Sequence, residues 1–347
     1  MFLNDSLALV AVLCGAEGWT DIEEFGKRKL GLLRRFFDYK NGVPSDDTIR
    51  RFFRALNPDT FMKLFREWIT KLVATVGSKV IAIDGKTSRR SFDKNQNALH
   101  TVSAFATEAR IVLGQEKVAD KSNEITAIPK LLEWLDISGR IITIDAMGCQ
   151  YKIANQIIKQ GGDYVFALKA NQETLFEDVK LFFKSPGELK SHTDYDKGHG
   201  RIEIRAIQVA NDVEWLRNMH PNWQTIKSII KLDSTREIGD KKTEETRYYI
   251  SSLDVSAEAT LKTIRIHWEV ENCLHWILDM SFGEDYSRIR KSNAPYIMTI
   301  LRHMVCNVLQ KAKQTDKDLA RKSIKGLRKA CGWDDELLTK ILLSNDF

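Results

Sequence analysis

The chain has 347 residues, 43% of them hydrophobic, with 53 Lys and Arg against 47 Asp and Glu. That length and apolar content exclude wholesale disorder and suit one large domain with an appendage, or two domains. The net charge of +6 permits a nucleic-acid partner without demanding one.

Cys14, Cys149, Cys273, Cys306 and Cys331 are scattered and form no Cys-x-x-Cys pair. A disulfide framework and a structural zinc are both disfavoured, which points to a reducing cytosol. The apolar stretch 7–16 is too short to span a bilayer and lacks the basic flank of a signal peptide. It reads as a buried helix.

Residues 1–75 carry helical periodicity and suit an N-terminal helical domain that binds DNA. Ser45 can cap a helix bearing Ile49, Phe52, Phe53 and Leu56 at helical spacing. Its outer face carries Arg50, Arg51 and Arg54, either a solvated face or a contact for DNA phosphates.

From Lys79 the period changes. Val80 to Ile83 is a short apolar run that stops at Asp84 and reads as a buried strand. Leu99 to Phe105 and Ile111 to Val118 suit two antiparallel strands. Ile125 to Leu135 is an amphipathic helix with Glu124 near its start. Arg140 to Ile144 is a strand ending at Asp145. Ile153 to Lys159 is helical, and Tyr164 to Leu168 is a fifth strand. The order is β-β-β-α-β-α-β.

Residues 171–262 read as an insertion. A helix from Thr174 to Phe183 leads into a polar loop through His199, then β-like segments at Ile202 to Val209, Ile226 to Leu232 and Thr246 to Leu253. Trp215 and Trp223 suit core packing better than base stacking. Helices resume near Ser256, include an apolar one at 294–312, and end in a tail at 321–347. The body of the chain, 76–320, would be the catalytic domain.

Two sites share one grammar: an apolar strand, an aspartate at its carboxyl end, then a small residue. They are Ile83-Asp84-Gly85 and Ile144-Asp145-Ala146. On neighbouring strands the two carboxylates would converge, and a divalent cation relieves their repulsion. Oxygen ligands favour Mg²⁺ or Mn²⁺ over zinc. A third acid should come from the later helix His267 to Leu278, where Val270, Cys273, Leu274, Ile277 and Ser281 share one face. Glu271 lies at the margin of that face, in line with His267 and Leu278, and Glu269 lies opposite. Asp279, Glu284 and Asp285 are rivals. A zinc site from His267, Glu271 and His275 lacks the His-Glu-x-x-His pattern, and no Gly-x-Ser-x-Gly or phosphate-cradling glycine loop occurs.

Several runs then resemble the H-repeat-associated (ISAs-type) insertion-sequence transposases of the DDE superfamily. They include Gly15-Ala16-Glu17-Gly18-Trp19, Ile83-Asp84-Gly85-Lys86, the run 121–129, Thr143-Ile144-Asp145-Ala146-Met147-Gly148-Cys149-Gln150 and His267-Trp268-Glu269-Val270-Glu271-Asn272. The resemblance covers nearly the whole chain. It implies an α/β fold: an RNase H-like mixed five-stranded sheet flanked by helices, with a β-rich insertion and an N-terminal helical domain. It implies that Asp84, Asp145 and Glu271 hold two Mg²⁺ ions, with Mn²⁺ able to substitute. The superfamily flanks its glutamate with Tyr, Arg and Lys, where this chain has Ile264, His267 and Leu278. Lys86, Arg265, His267, Arg288, Arg290 and Lys291 would then supply DNA-phosphate contacts.

The implied function is cleavage of element ends and their joining to target DNA in the bacterial cytosol or nucleoid. The partners would be double-stranded DNA with terminal inverted repeats and target DNA, with a homodimer or larger assembly formed on DNA. Family members tend to begin upstream of this Met1. A catalytically silent DNA-binding relative, an RNase H-like nuclease and a purely structural protein stay open.

Overall fold

The computed structural model describes residues 3–73, 77–94, 96–119, 122–198 and 200–344. Lys121, His199, the chain end 345–347 and the expected boundary at 75/76 lie outside them.

Nine strands form one mixed sheet. They are β1 (Val80–Thr87), β2 (His100–Ala106), β3 (Ile111–Lys117), β4 (Ile141–Ile144), β5 (Asp163–Leu168), β6 (Lys190–Gly198), β7 (Arg201–Ala210), β8 (Ser228–Ile238) and β9 (Lys241–Ser251). Their order is β3-β2-β1-β4-β5-β9-β8-β7-β6. The expected five-stranded sheet is therefore corrected to nine. The β-rich segment does not form a separate layer, because β9 pairs antiparallel with β5 and continues its free edge, with Val165 opposite Ser251. β6 was expected as loop. Its sequence is polar and its side chains are mostly exposed, so no apolar alternation marks it; nine residues paired to β7 hold it as an edge strand.

β1 pairs antiparallel with β2 and parallel with β4, and β4 pairs parallel with β5. β1 was expected to stop at Asp84. It continues to Thr87 because β2 keeps pairing with it, through Asp84 opposite Ser103 and Thr87 opposite His100. The parallel partner β4 stops at Ile144, so Asp84 sits where the sheet loses one neighbour.

Side chains of a strand alternate between faces. Ile81, Ile83, Ile142, Ile144, Tyr164 and Phe166 point into one large core shared with the helices Glu124–Glu133 and Tyr151–Lys159. The opposite face carries Val80, Ile141 and Val165, packed with Ala257, Leu261 and Ile264 of the helix Ala257–His267. Asp84, Asp145 and Lys169 continue this second face by their spacing. The same helix also meets β6 and β7, so it covers the junction between the two halves of the sheet.

The N-terminal helix Leu3–Leu13 is buried from Leu7 through Leu13, as its apolar run predicts. Ser45 caps its helix by accepting the Thr48 N–H. Arg50 and Arg51 pair with Asp46 and Asp47 on the same helix face. Trp223 is buried, and Trp215 stacks on Phe182 at 5.5 Å, so both pack as expected. The helix Ala294–Thr315 is buried along nearly its whole length. Among the described residues no helix is long and apolar enough to cross a membrane.

That long helix also closes an edge of the sheet. β3 is the outermost strand, and its Val112 has a backbone N–H and C=O that no strand pairs. Asn307 accepts from the first and donates to the second, both at 2.8 Å, and is fully buried. An Asn307→Leu substitution keeps the volume but leaves both backbone groups unpaired. It should lower stability by about 2–4 kcal/mol, measured by denaturant unfolding. A change near zero would contradict this account of the edge.

Candidate active site

The middle of β1, the ends of β4 and β5, and one helix build the site. The parallel register places Ile83 beside Ile144, so Asp84 and Asp145 follow on adjacent strands pointing to one face. Above them runs the helix that ends at His267. The chain then passes through a single π-helical turn, Glu271–His275, before the helix Trp276–Phe282. Asp84, Asp145 and Glu271 line one pocket of about 240 Å³, together with Thr143, Lys169, Arg247, Tyr249, His267 and Trp268. The structure thus brings the three sequence-predicted acids together.

The π turn corrects the uniform helical wheel used for Glu271. Val270, Leu274, Leu278, Ser281 and Phe282 are the buried positions, and the spacing of four from Val270 to Leu278 across the π turn is one that a strict α-helix does not sustain. Leu278 is therefore in the core and is not in line with Glu271. Glu271 stays exposed at the pocket rim.

The two aspartates differ in support. One oxygen of Asp145 accepts the backbone N–H groups of Met147 and Gly148, at 3.0 and 3.3 Å. The other oxygen has no such tie. Burial raises the Asp145 carboxyl above its ordinary value, and the nearby Glu124 adds to the rise. Burial raises Asp84 to about 7, opposed by a Gly85 backbone hydrogen bond and reinforced by Asp145, Glu124 and Glu271. His275 comes within 3.6 Å of Asp84. Burial, then Lys86, lowers its pKa to about 4, so it is neutral and forms no ion pair.

In the sequence Glu124 stands near a helix start. It is a fourth carboxylate beside the aspartates. His100 holds it at 2.7 Å, and Thr87 holds the other ring nitrogen of His100 at 2.7 Å. A Cβ at Gly85 would collide with the Glu124 carboxylate, which explains a glycine directly after Asp84. Lys169 also lines the pocket. It follows β5 as Asp145 follows β4, and that shared grammar could have found it. Arg247 comes from β9 and stacks over Trp268 at 4.6 Å. Its place depends on the pairing of β9 with β5, which sequence does not reveal.

The rivals and the phosphate candidates lie elsewhere. Glu269 lines a separate cavity with Arg265. Asp279 and Asp285 pair with Lys86, at 2.8 and 3.4 Å, and Glu284 is buried against Arg302 at 3.2 Å. Lys86 is thus bound into an acidic nest and does not line the pocket. Arg265 is held by Asp194 and Asp196 of β6. His267 does line the pocket, but its Nδ1 bonds Thr143 at 2.9 Å, and burial lowers its pKa to about 4. It carries no charge at neutral pH. Arg290 donates to the Arg90 carbonyl, Lys291 pairs with Asp93, and Arg288 is exposed, all outside the pocket.

Comparison with known proteins gives consistent matches. The family described as Transposase DDE domain matches residues 76–308, and a DDE_Tnp_1-associated family matches residues 6–69. Two H repeat-associated putative transposases of Escherichia coli strain K12 are similar. YhhI is 43% identical over 346 residues, covering 97% of this chain and 90% of its own length. YbfD is 47% identical over 215 residues, covering 60% of this chain and 84% of its own. Among solved structures, the piggyBac transposase synaptic complex with hairpin DNA aligns at a TM-score of 0.48 and 11% identity, over 99% of this chain and 73% of that one.

The raised Asp84 pKa has a consequence for stability. An acid whose folded pKa exceeds its unfolded value of 3.8 favours folding while protonated, and that contribution is lost as pH rises through about 7. In chelator-treated protein, Asp84→Asn should therefore melt above wild type at pH 8, by on the order of 2–4 kcal/mol. The advantage should shrink toward pH 4. Calorimetry across that range checks it, and a difference independent of pH would contradict it.

Proposed function

The chain belongs to the DDE transposase family, and from that premise we propose that it cuts the ends of an insertion sequence and joins them to target DNA by divalent-ion-dependent phosphoryl transfer. The observation that carries this reading is the pocket shared by Asp84, Asp145 and Glu271. The sheet supports it. The half β3-β2-β1-β4-β5, with β1, β2 and β3 antiparallel and β1, β4 and β5 parallel, supports the RNase H-like reading that the sequence runs imply.

The donor set fits hard divalent ions. It offers carboxylate oxygens only, and the aspartates repel one another in a partly buried place. Asp84, Asp145 and Glu271 would hold two Mg²⁺ ions, with Mn²⁺ able to substitute. Among the described residues no three Asp, Glu, His or Cys side chains are already grouped to ligate one ion. Closing the shell falls to the exposed Glu271 side chain. When bound, such ions polarise a phosphoryl oxygen and activate a water or a 3′-hydroxyl.

The protein groups supply the rest. The backbone amides on Asp145 fix one oxygen and leave the other for an ion. Lys169 and Arg247 present positive charge to a phosphate entering the pocket. Neutral His267, held by Thr143, is a wall of the pocket and no phosphate anchor. Trp268 and Tyr249 add aromatic surface to the pocket wall. The substrates are double-stranded DNA with terminal inverted repeats and target DNA. Two ends must be cut and joined, so at least two copies act on one DNA complex, in the bacterial cytosol.

Asp145→Asn should keep DNA binding and lose Mg²⁺-dependent cleavage and strand transfer by on the order of 10³-fold. The assay follows labelled element-end duplex on denaturing gels. Wild type that binds but neither cuts nor joins would instead favour a silent DNA-binding relative, and cutting without joining would favour a nuclease.

A further inference from the structure

β1 does more than carry Asp84. Beyond Thr87 it feeds a loop that meets the segment 284–292, and ion pairs zip the two together. Arg89 holds Asp285 at 3.1 Å, Lys291 holds Asp93 at 3.0 Å, and Arg290 donates to the Arg90 carbonyl at 2.9 Å. On the outer side of this junction two aromatic rings face solvent, Phe92 at 49% and Tyr286 at 69% exposure. Each lies under a guanidinium: Arg90 sits 5.2 Å from the Tyr286 ring centre and Arg290 5.3 Å from that of Phe92.

A lone exposed aromatic is ordinary. Two exposed rings interleaved with arginines form a different surface. The two segments carry Arg89, Arg90, Lys94, Arg288, Arg290 and Lys291, with Asp93 and Asp285 as the counter-charges among their described residues that are not buried. The surface is cationic and aromatic at once, and it lies close to the acids. Arg89 is five chain steps from Asp84, at most about 17 Å of chain.

We infer that this surface seats an unpaired stretch of DNA strand flanking the scissile phosphate, with bases on Tyr286 and Phe92 and phosphates on the arginines. This deepens the reading of the acid pocket and rests on it. Paired bases are stacked inside a duplex and offer no free face, so duplex DNA engages only the cations here. An unpaired nucleotide engages both, and stacking is worth about 1–3 kcal/mol per base. The surface thus prefers a strand that has opened at the element end. It also gives the cationic run Arg288-Ile289-Arg290-Lys291 a place as DNA-phosphate contacts outside the acid pocket.

The test is fluorescence anisotropy with the full chain, using a single strand of about 12 nucleotides and a blunt duplex of the same length. The double substitution Phe92→Ala with Tyr286→Ala should weaken single-strand binding by about 10-fold or more and leave duplex binding near wild type. Tyr286→Phe alone should keep single-strand binding, which controls for folding. Equal loss on both probes, or no loss on either, overturns the inference. Cleavage is scored on the same preparations. Selective single-strand loss in a protein that cuts nothing supports the surface while the catalytic reading fails. Intact cutting with unselective binding keeps the catalytic reading and sinks the surface.

Discussion

Two carboxylates on adjacent parallel strands cannot avoid each other. The pairing of β1 with β4 fixes Asp84 and Asp145 side by side, and the strand spacing leaves them about 4.8 Å of backbone separation. The helix Ala257–His267 covers the same face and withdraws water from it. Asp84 answers by holding its proton up to about 7. A group of this kind weakens the metal-free fold and gains most from a cation. The rest of the molecule keeps that unfavourable pair in place.

Two kinds of scaffold do so. Behind the sheet, Ile83, Ile144 and Phe166 anchor the strand ends in the large core. In front, the helix bearing Glu271 is tied at both ends. His267 bonds Thr143 on β4. At its far end, the buried Arg328 guanidinium donates to the Ser281 carbonyl and to the Val12 carbonyl of the N-terminal helix. The buried Glu284 and Arg302 pair pins the next segment to the long helix. Between these ties the chain turns at Trp268 and then winds through the π turn, which Glu271 opens. Single π turns of this kind are frequent at functional sites, where they set a side chain off the regular helical path.

Much of this was legible in the residues. Short apolar runs ending in Asp84 and Asp145 encode strands by local chemistry, and their periodicity survives folding. The buried helix at Leu7–Leu13 and the Ser45 cap are equally local. What escaped was set by pairing between distant segments. β6 is polar because it is an edge strand, so its sequence reads as loop. The joining of β9 to β5, which turns five strands into nine and brings Arg247 to the pocket, depends on a register no local pattern states. Glu124 reaches the aspartates only because Gly85 leaves room for it. Lys86 looked like a free phosphate contact beside Asp84, yet it is claimed by Asp279 and Asp285, nearly two hundred positions along the chain.

The central claim is that Asp84, Asp145 and Glu271 act as one divalent-ion centre. Mn²⁺ titration by electron paramagnetic resonance, on the protein bound to element-end DNA, tests it most directly. Wild type should bind Mn²⁺ saturably, and Glu271→Gln, folded by circular dichroism, should lose that binding although Glu271 is the most exposed of the three. Unchanged Mn²⁺ binding in Glu271→Gln would contradict the account and return Glu271 to an ordinary solvated helix residue.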